Sequence, residues 1–335
     1  MHLQSKKYGI AYIISIILLL VCVWLGVSIG SVKVPLSTLW DQENTTAYGI
    51  LWNIRMPRVV LAALVGAALA IAGAAFQGLL KNPLADPYTL GISSGASVGA
   101  VITIYFGISI PLLGVFLLPI FSMLGAFITM LIVLLFAKLV DRTMKMETLI
   151  LTGIIFSAFL SAGLSLMIAL TSDDNLRTIL SWTMGSVSMR GWPYVKMVLP
   201  FILIGVAIVL FYRRELNALI YGEERAKHLG VNVNKSKYGI LIGGSILTGG
   251  AVAVSGTIGF VGLVVPHMVR MLIGADHRHL LFISMLNGAS LLVLCDLVSR
   301  TIIAPVELPI GVITSFLGAP VFAYIFYRQR KGRTR

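Results

Sequence analysis

The stretch Gln77-Gly-Leu-Leu-Lys-Asn-Pro-Leu-Ala-Asp-Pro-Tyr-Thr-Leu-Gly-Ile-Ser-Ser-Gly-Ala-Ser-Val-Gly-Ala100 sets turn formers and hydroxyls between long apolar runs, and its reading decides the fold. Backbone released from helical bonding is tolerated at membrane depth only where protein or a water-filled cavity surrounds it. The stretch therefore marks a path or a gate inside a membrane protein.

On either side of it the chain is overwhelmingly apolar. Of 335 residues, 58% are hydrophobic and 12% charged. The apolar residues recur in runs of about 18 to 25, the length that spans a bilayer as helix. These runs predict an all-α integral membrane protein of about ten transmembrane helices, near 8–29, 58–78, 88–106, 112–137, 148–170, 193–212, 236–255, 258–273, 280–299 and 309–327. Ten crossings of about 20 residues leave only short connections. Residues 1–335 thus read as a single transmembrane domain with both termini cytoplasmic. The run Ile10 to Ile29 is long for a signal-peptide core and lacks a small-residue cleavage pattern, so it stands as the first helix. Cys22 and Cys295 fall inside apolar runs, where cysteine behaves as a small hydrophobe, so neither a disulfide nor a metal cluster is implied.

A net charge of +13 raises the question of a nucleic-acid partner, and its distribution answers it. With the N-terminus inside, all but seven of the 26 basic residues fall on inner segments, including Lys6, Lys7, Lys81, Arg213 to Lys237 and the tail from Arg328 to Arg335. That asymmetry is the positive-inside pattern of a membrane protein, not an affinity for nucleic acid. The seven outer exceptions are Lys33, Arg55, Arg58, Arg177, Arg190, Lys196 and Arg300. Arg55, Arg58 and Arg300 sit at outer helix ends, where they either snorkel to lipid headgroups or offer a docking site for acidic groups on an external partner. Asp296 lies one turn before Arg300 and is expected to pair with it locally.

Small residues at every fourth position, Ala62, Gly66, Ala70, Ala74 and Gly78, then Gly91, Gly95 and Gly99, let helix backbones approach closely where lipid supplies no hydrophobic force. Asp86-Pro87 has the form of an N-cap and first helical residue, so the third helix is expected to restart there. Asn82 to Ala85 then form a tight corner at the inner mouth. Gly95-Ala-Ser97-Val-Gly99 has the Gly-x-Ser-x-Gly spacing of serine hydrolases, and His267 lies on another helix. The motif needs a strained strand-to-helix turn, whereas this copy sits in an apolar helical run, so an intramembrane protease is weakly supported. Asp276-His-Arg-His279 reads as a solvated inner loop rather than a metal site. No chain of buried carboxylates is available to couple transport to protons, which disfavours an ion-coupled secondary carrier. Gly230 to Ser236 lacks the second glycine of a phosphate-cradling loop, so any ATP must be hydrolysed on another chain.

The longest inner loop, about 213–237, contains Gly222-Glu-Glu-Arg-Ala-Lys-His-Leu-Gly230-Val. Ala226 and Leu229 are spaced to share a helical face, and Gly230 suits the end of a short amphipathic helix beneath the membrane. Such a helix either rests on headgroups or docks in the groove of a soluble partner.

Six motifs in order, Arg55-Met-Pro-Arg58, Gly78 to Pro87, Gly91 to Ser97, Gly222 to Val231, Gly256 to Arg270, and Glu307 through Pro320, give the chain a resemblance to the FecCD-type permease subunits of ABC importers for iron–siderophore complexes, haem and cobalamin. The resemblance covers nearly the whole chain. It implies a permease subunit rather than an enzyme, carrying no cofactor, in a bacterial cytoplasmic membrane. Implied partners are a cytoplasmic ABC ATPase dimer, an extracytoplasmic substrate-binding protein and a second permease subunit, identical or homologous. A ferric siderophore complex is the expected cargo, with haem or cobalamin as alternatives. By resemblance, Arg55, Arg58 and Arg300 match positions that dock the binding protein, and Asn82 with Leu84 matches an inner gate. Gly222, Ala226, Leu229 and Gly230 match the helix that couples to the ATPase. The chain departs from the pattern at Met146-Glu147, where small hydroxyl residues are usual.

Overall fold

The computed structural model describes residues 2–30, 32, 34–39, 45–142 and 144–333; Lys33 and Arg335, placed above by their charge, lie outside them. The described residues form helices α1 (His2–Ser28), α2 (Thr45–Gly49), α3 (Met56–Leu79), α4 (Ile92–Tyr105), α5 (Leu117–Val140), α6 (Met146–Leu170), α7 (Asp173–Thr183), α8 (Gly191–Phe211), α9 (Arg213–Ile220), α10 (Glu223–His228), α11 (Val233–Ser255), α12 (Val261–Ile273), α13 (His277–Thr301) and α14 (Ile310–Arg333). Among the described residues seven helical stretches are long and apolar enough to cross a membrane, and three shorter apolar stretches, α4, α12 and the Ile310–Ile325 part of α14, complete the expected ten. The long spans follow from the apolar runs, since a helix satisfies every backbone group within its own segment.

α3 is the central helix. Nineteen of its residues are buried, and the small ones set its neighbours. A Cβ placed on Gly66 would lie 2.2 Å from the Gly288 carbonyl of α13, and one on Gly73 would lie 1.9 Å from the Gly262 carbonyl of α12. α4 and α5 meet in the same way through Gly95, Gly99 and Gly125. The small-residue stripes are thus close helix contacts. α1 lies on α13, with Tyr8 stacked on His279 at 3.9 Å between ring centres. α6 is the least buried of the long spans, with Leu149, Thr152 and Gly153 buried near its start. Gly73→Ala is expected to force α3 from α12 at a cost on the order of 1–3 kcal/mol. A lowered unfolding midpoint in detergent checks it, and an unshifted midpoint would refute the close contact.

Three differences from the sequence expectation have local causes. The third helix does not run from 88: a single tight turn, Pro87–Leu90, ends at Gly91 with φ 79°, and α4 starts only after it. The eighth begins at Val261 rather than 258, because Gly256 and Phe260 both take positive φ and hold the link out of the helix. The outer connection between the fifth and sixth spans holds α7, which buries Ile179 and Trp182. Ser172-Asp173-Asp174 followed by Leu176, Ile179, Leu180 and Thr183 was its sequence signal, a helix start and then an apolar face at helical spacing.

Candidate functional site

The two interruptions, at 87–91 and 256–260, face one another. Asp86 caps the first: the Tyr88 amide donates to its Oδ1 at 3.3 Å, and Thr89 Oγ1 donates to its carbonyl at 2.7 Å. Across the gap the Ile258 amide donates to Tyr88 Oη at 2.7 Å. Gln77 on α3 donates from Nε2 to the Leu263 carbonyl at 2.9 Å, tying the start of α12 to the same place. On the outer side the end of α7 seals the second break. Thr257 Oγ1 donates to the Thr183 carbonyl, Ser186 N–H donates to Ser255 O at 2.7 Å, and Ile310 N–H donates to Gly185 O at 3.0 Å. Freed backbone groups are therefore satisfied by other irregular segments, the condition for broken helices at membrane depth.

Below the first break, Asn82 Oδ1 accepts from the Leu84 amide at 2.9 Å and its carbonyl accepts from Ala85 N–H at 3.0 Å. This side-chain turn rigidifies the corner. Leu84 is left 43% exposed at its tip.

The outer arginines point inward. Arg55 is buried and donates from Nη1 to the Val27 and Ser28 carbonyls, both at 3.0 Å, and from Nη2 to Val32 O. Arg58 is buried between Asp296 of α13, 2.9 Å from its Nε, and Glu307, 2.7 Å from its Nη1. Arg300, also buried, donates to the Gly26 carbonyl and stands 3.5 Å from the second Asp296 oxygen. The local Asp296–Arg300 pair is thus the longer contact, and the cross-helix bond to Arg58 is the shorter. Of this group only Glu307 is substantially accessible. Burial would push the Glu307 carboxyl up, but the hydrogen bond and charge of Arg58 outweigh it and hold the group below its usual range. A depressed acid contributes stability above its unfolded pKa and loses it as pH falls through the folded value. Stability is therefore expected to fall below about pH 4, and Glu307→Gln should flatten that part of an unfolding-midpoint profile. An unchanged profile would remove Glu307 as the cause.

At the inner face Gly222 and Gly230 bracket α10, and Ala226 is fully buried while Leu229 is 69% exposed. The two were expected on one face, but the helix ends at His228, and Leu229 turns away with the chain. Glu223, the first residue of α10, pairs with Lys237 Nζ at 2.9 Å. Lys237 itself, counted in sequence as an inner-loop charge, is 1% exposed on α11 and also donates to the Met144 carbonyl at 3.0 Å. Its register was the signal, since Lys237 lies one turn before the buried Ile240 and Leu241. α9 is fixed by Asn217, whose Nδ2 donates to Asp276 Oδ1 at 2.7 Å and whose Oδ1 accepts from the His277 amide at 2.8 Å. His277 is fully buried rather than solvated, because the end of α3 closes over it. Met146 opens α6 and packs against the core, with Glu147 exposed beside it.

Ser97 lies inside α4, where its Oγ donates to the Ser93 carbonyl at 3.0 Å. His267 is buried on α12 with its ring edge-on to Phe322. Among the described residues no group of three or more His, Cys, Asp or Glu is disposed to hold a metal ion.

Broken helices meeting within a ten-span bundle, with short amphipathic helices on its inner face, define a membrane permease. The sequence comparisons agree: the chain belongs to the FecCD transport family, whose description it matches over residues 18–328. It is 57% identical to the uncharacterized ABC transporter permease protein YvrB of Bacillus subtilis, over 99% of this chain and 97% of that one. It is 42% identical to the hemin transport system permease protein HmuU of Yersinia pestis, over 95% and 96%. Identity to the Fe(3+) dicitrate transport system permease protein FecD of Escherichia coli is 38%, over 96% and 99%. A metal-chelate type ABC transporter solved in an inward-facing conformation superposes with a TM-score of 0.85 at 32% identity, covering 97% of this chain and 99% of that one.

Proposed function

We propose that this chain, acting as one permease domain over 1–335, forms the translocation path for a ferric siderophore complex in a bacterial cytoplasmic membrane. The observation that carries the reading is the pair of opposed breaks at Gly91 and Gly256–Phe260, where polar backbone lines a seam at membrane depth. Relatives named for hemin and ferric dicitrate support an iron-bearing cargo, and relatives named for hemin and for cobalamin import keep haem and cobalamin as alternatives. A loaded binding protein lands on the outer loops whose shape Arg55, Arg58 and Arg300 fix from within. A separate ATPase dimer engages Leu229 and the helix bracketed by Gly222 and Gly230, with Ala226 as its buried anchor. The corner at Asn82 and Leu84 closes the inner mouth, and a second permease chain, identical or homologous, completes the path.

Growth under iron limitation with defined siderophores, haem or cobalamin, in strains with and without this chain, tests the cargo. Equal growth of both strains on every ferric siderophore would overturn the reading. Uptake that persists without any ATPase would favour a secondary carrier. Ser97→Ala is expected to leave uptake within about twofold of wild type, because its hydroxyl only bonds back to its own helix. Complete loss of function on that change would instead favour a protease.

A further inference from the structure

A contiguous route joins the inner amphipathic helix to the inner corner, and Lys237 is its first joint. Lys237 Nζ holds Glu223 at the start of α10 and the carbonyl of Met144 in the turn between α5 and α6. That turn is itself tight. Met144 N–H donates to Asp141 O at 2.9 Å, the Lys145 amide donates to Asp141 Oδ2 at 3.1 Å, and α6 begins at the next residue. Two turns up α6, a Cβ on Gly153 would lie 2.5 Å from the Thr89 carbonyl, and Ser157 Oγ donates to the Tyr88 carbonyl at 3.5 Å. The Pro87–Leu90 turn carrying those carbonyls continues directly into the corner at Asn82 and Leu84. At Gly153 the contact is backbone against backbone and leaves no side chain to absorb a displacement, whereas at Lys237 the link runs through side-chain bonds to Glu223 and the Met144 carbonyl.

We propose that Lys237 is a positioning residue that transmits movement of α10 through the α5–α6 turn and α6 to the inner corner. The proposal rests on the reading of α10 as the ATPase-coupling helix. A buried lysine is a costly way to join two segments, and a leucine would fill the space without the desolvation. What the ammonium adds is simultaneous grip on a carboxylate and a carbonyl from two different elements. Because Glu223 is one-third exposed, it can pivot toward water when the lysine is removed, so the fold should survive the loss. The route also gives Met146-Glu147 a place, at the foot of the helix that carries the movement. Small hydroxyl residues are not required there, since the contact is made by Met144 and Gly153.

The test uses the assembled transporter in nanodiscs, with Lys237→Met and, as a milder variant, Glu223→Gln. Spin labels at the exposed positions 224 and 147 report whether α10 and the foot of α6 move as one. With Lys237 present, the distance between labels should stay narrow with and without ATP. With Lys237→Met it should broaden, transport per ATP hydrolysed should fall about tenfold, and hydrolysis itself should continue. Glu223→Gln should fall between the two. An unbroadened distance and wild-type transport per ATP in Lys237→Met would overturn the proposal. Cross-linking from Leu229→Cys to the ATPase, run in the otherwise unaltered chain, separates this from the underlying reading: absence of the cross-link would overturn the coupling role of α10 itself.

Discussion

Asp296→Ala is expected to lower stability by about 3–5 kcal/mol, the range for removing one partner from a buried ion pair. Asp296 is completely buried and stands between two buried guanidiniums, 2.9 Å from Arg58 and 3.5 Å from Arg300. Its loss leaves Arg58 with Glu307 and Ser188, and among the described residues leaves Arg300 the Gly26 carbonyl but no carboxylate within 4 Å. Two like charges that shared a carboxylate then face each other away from water, which is the costlier half of the effect. Arg58→Met should cost less, because Asp296 keeps Arg300 as a counter-charge. Replacing both residues of the shorter pair, Arg58→Met with Asp296→Ala, removes the repulsion between Arg58 and Arg300 and leaves Arg300 as the stranded charge, so it should lose clearly less than the two single changes added together. Unfolding midpoints of the four proteins in the same detergent give the cycle directly. Additive losses would mean that Arg58 and Asp296 do not stabilise each other.

Arg55, Arg58 and Arg300 occupy the outer helix ends that charge asymmetry assigns them, yet all three are buried. Their positions at outer helix ends were legible from charge asymmetry, and so were the ten spans, because both depend on patterns of single residues along the chain. Their partners were not legible. Glu307 is 249 residues from Arg58 and Asp296 is 238 away, and no local periodicity relates them. The same holds for the partner of Lys237: its register marks it for burial, but the Met144 carbonyl that it grips lies 93 residues earlier. Glycine spacing fared better, since a close helix contact needs small residues on both helices, and one stripe already announces it. The corner at Asn82 was visible because its chemistry is local, an amide side chain bonding to the amide two residues on. The seam between Tyr88 and Ile258 was not, because only the fold brings the two breaks together.

That seam yields the second large expectation: Gly256→Ala should abolish most uptake, by tenfold or more on the order expected when a path-lining backbone is displaced by about 1 Å. Gly256 has φ 70° and ψ −164°, a region essentially restricted to glycine, where any side chain costs on the order of 1–3 kcal/mol. Space is denied as well. A Cβ there would lie 2.0 Å from the Trp182 carbonyl, a backbone atom at the end of α7 that cannot rotate aside. Relief requires α7 to part from the α11–α12 link, which breaks the Thr257–Thr183 and Ser186–Ser255 bonds and draws Ile258 from Tyr88. Tyr88→Phe supplies the control. It removes one acceptor from the Ile258 amide at about 1–3 kcal/mol but moves no backbone, so uptake should fall far less. Substrate uptake by proteoliposomes bearing the partner chains, measured alongside the unfolding midpoint, separates a closed path from a collapsed fold. If Gly256→Ala transported as well as Tyr88→Phe, the break at 256–260 would be a structural joint only, and the path would have to run elsewhere in the bundle.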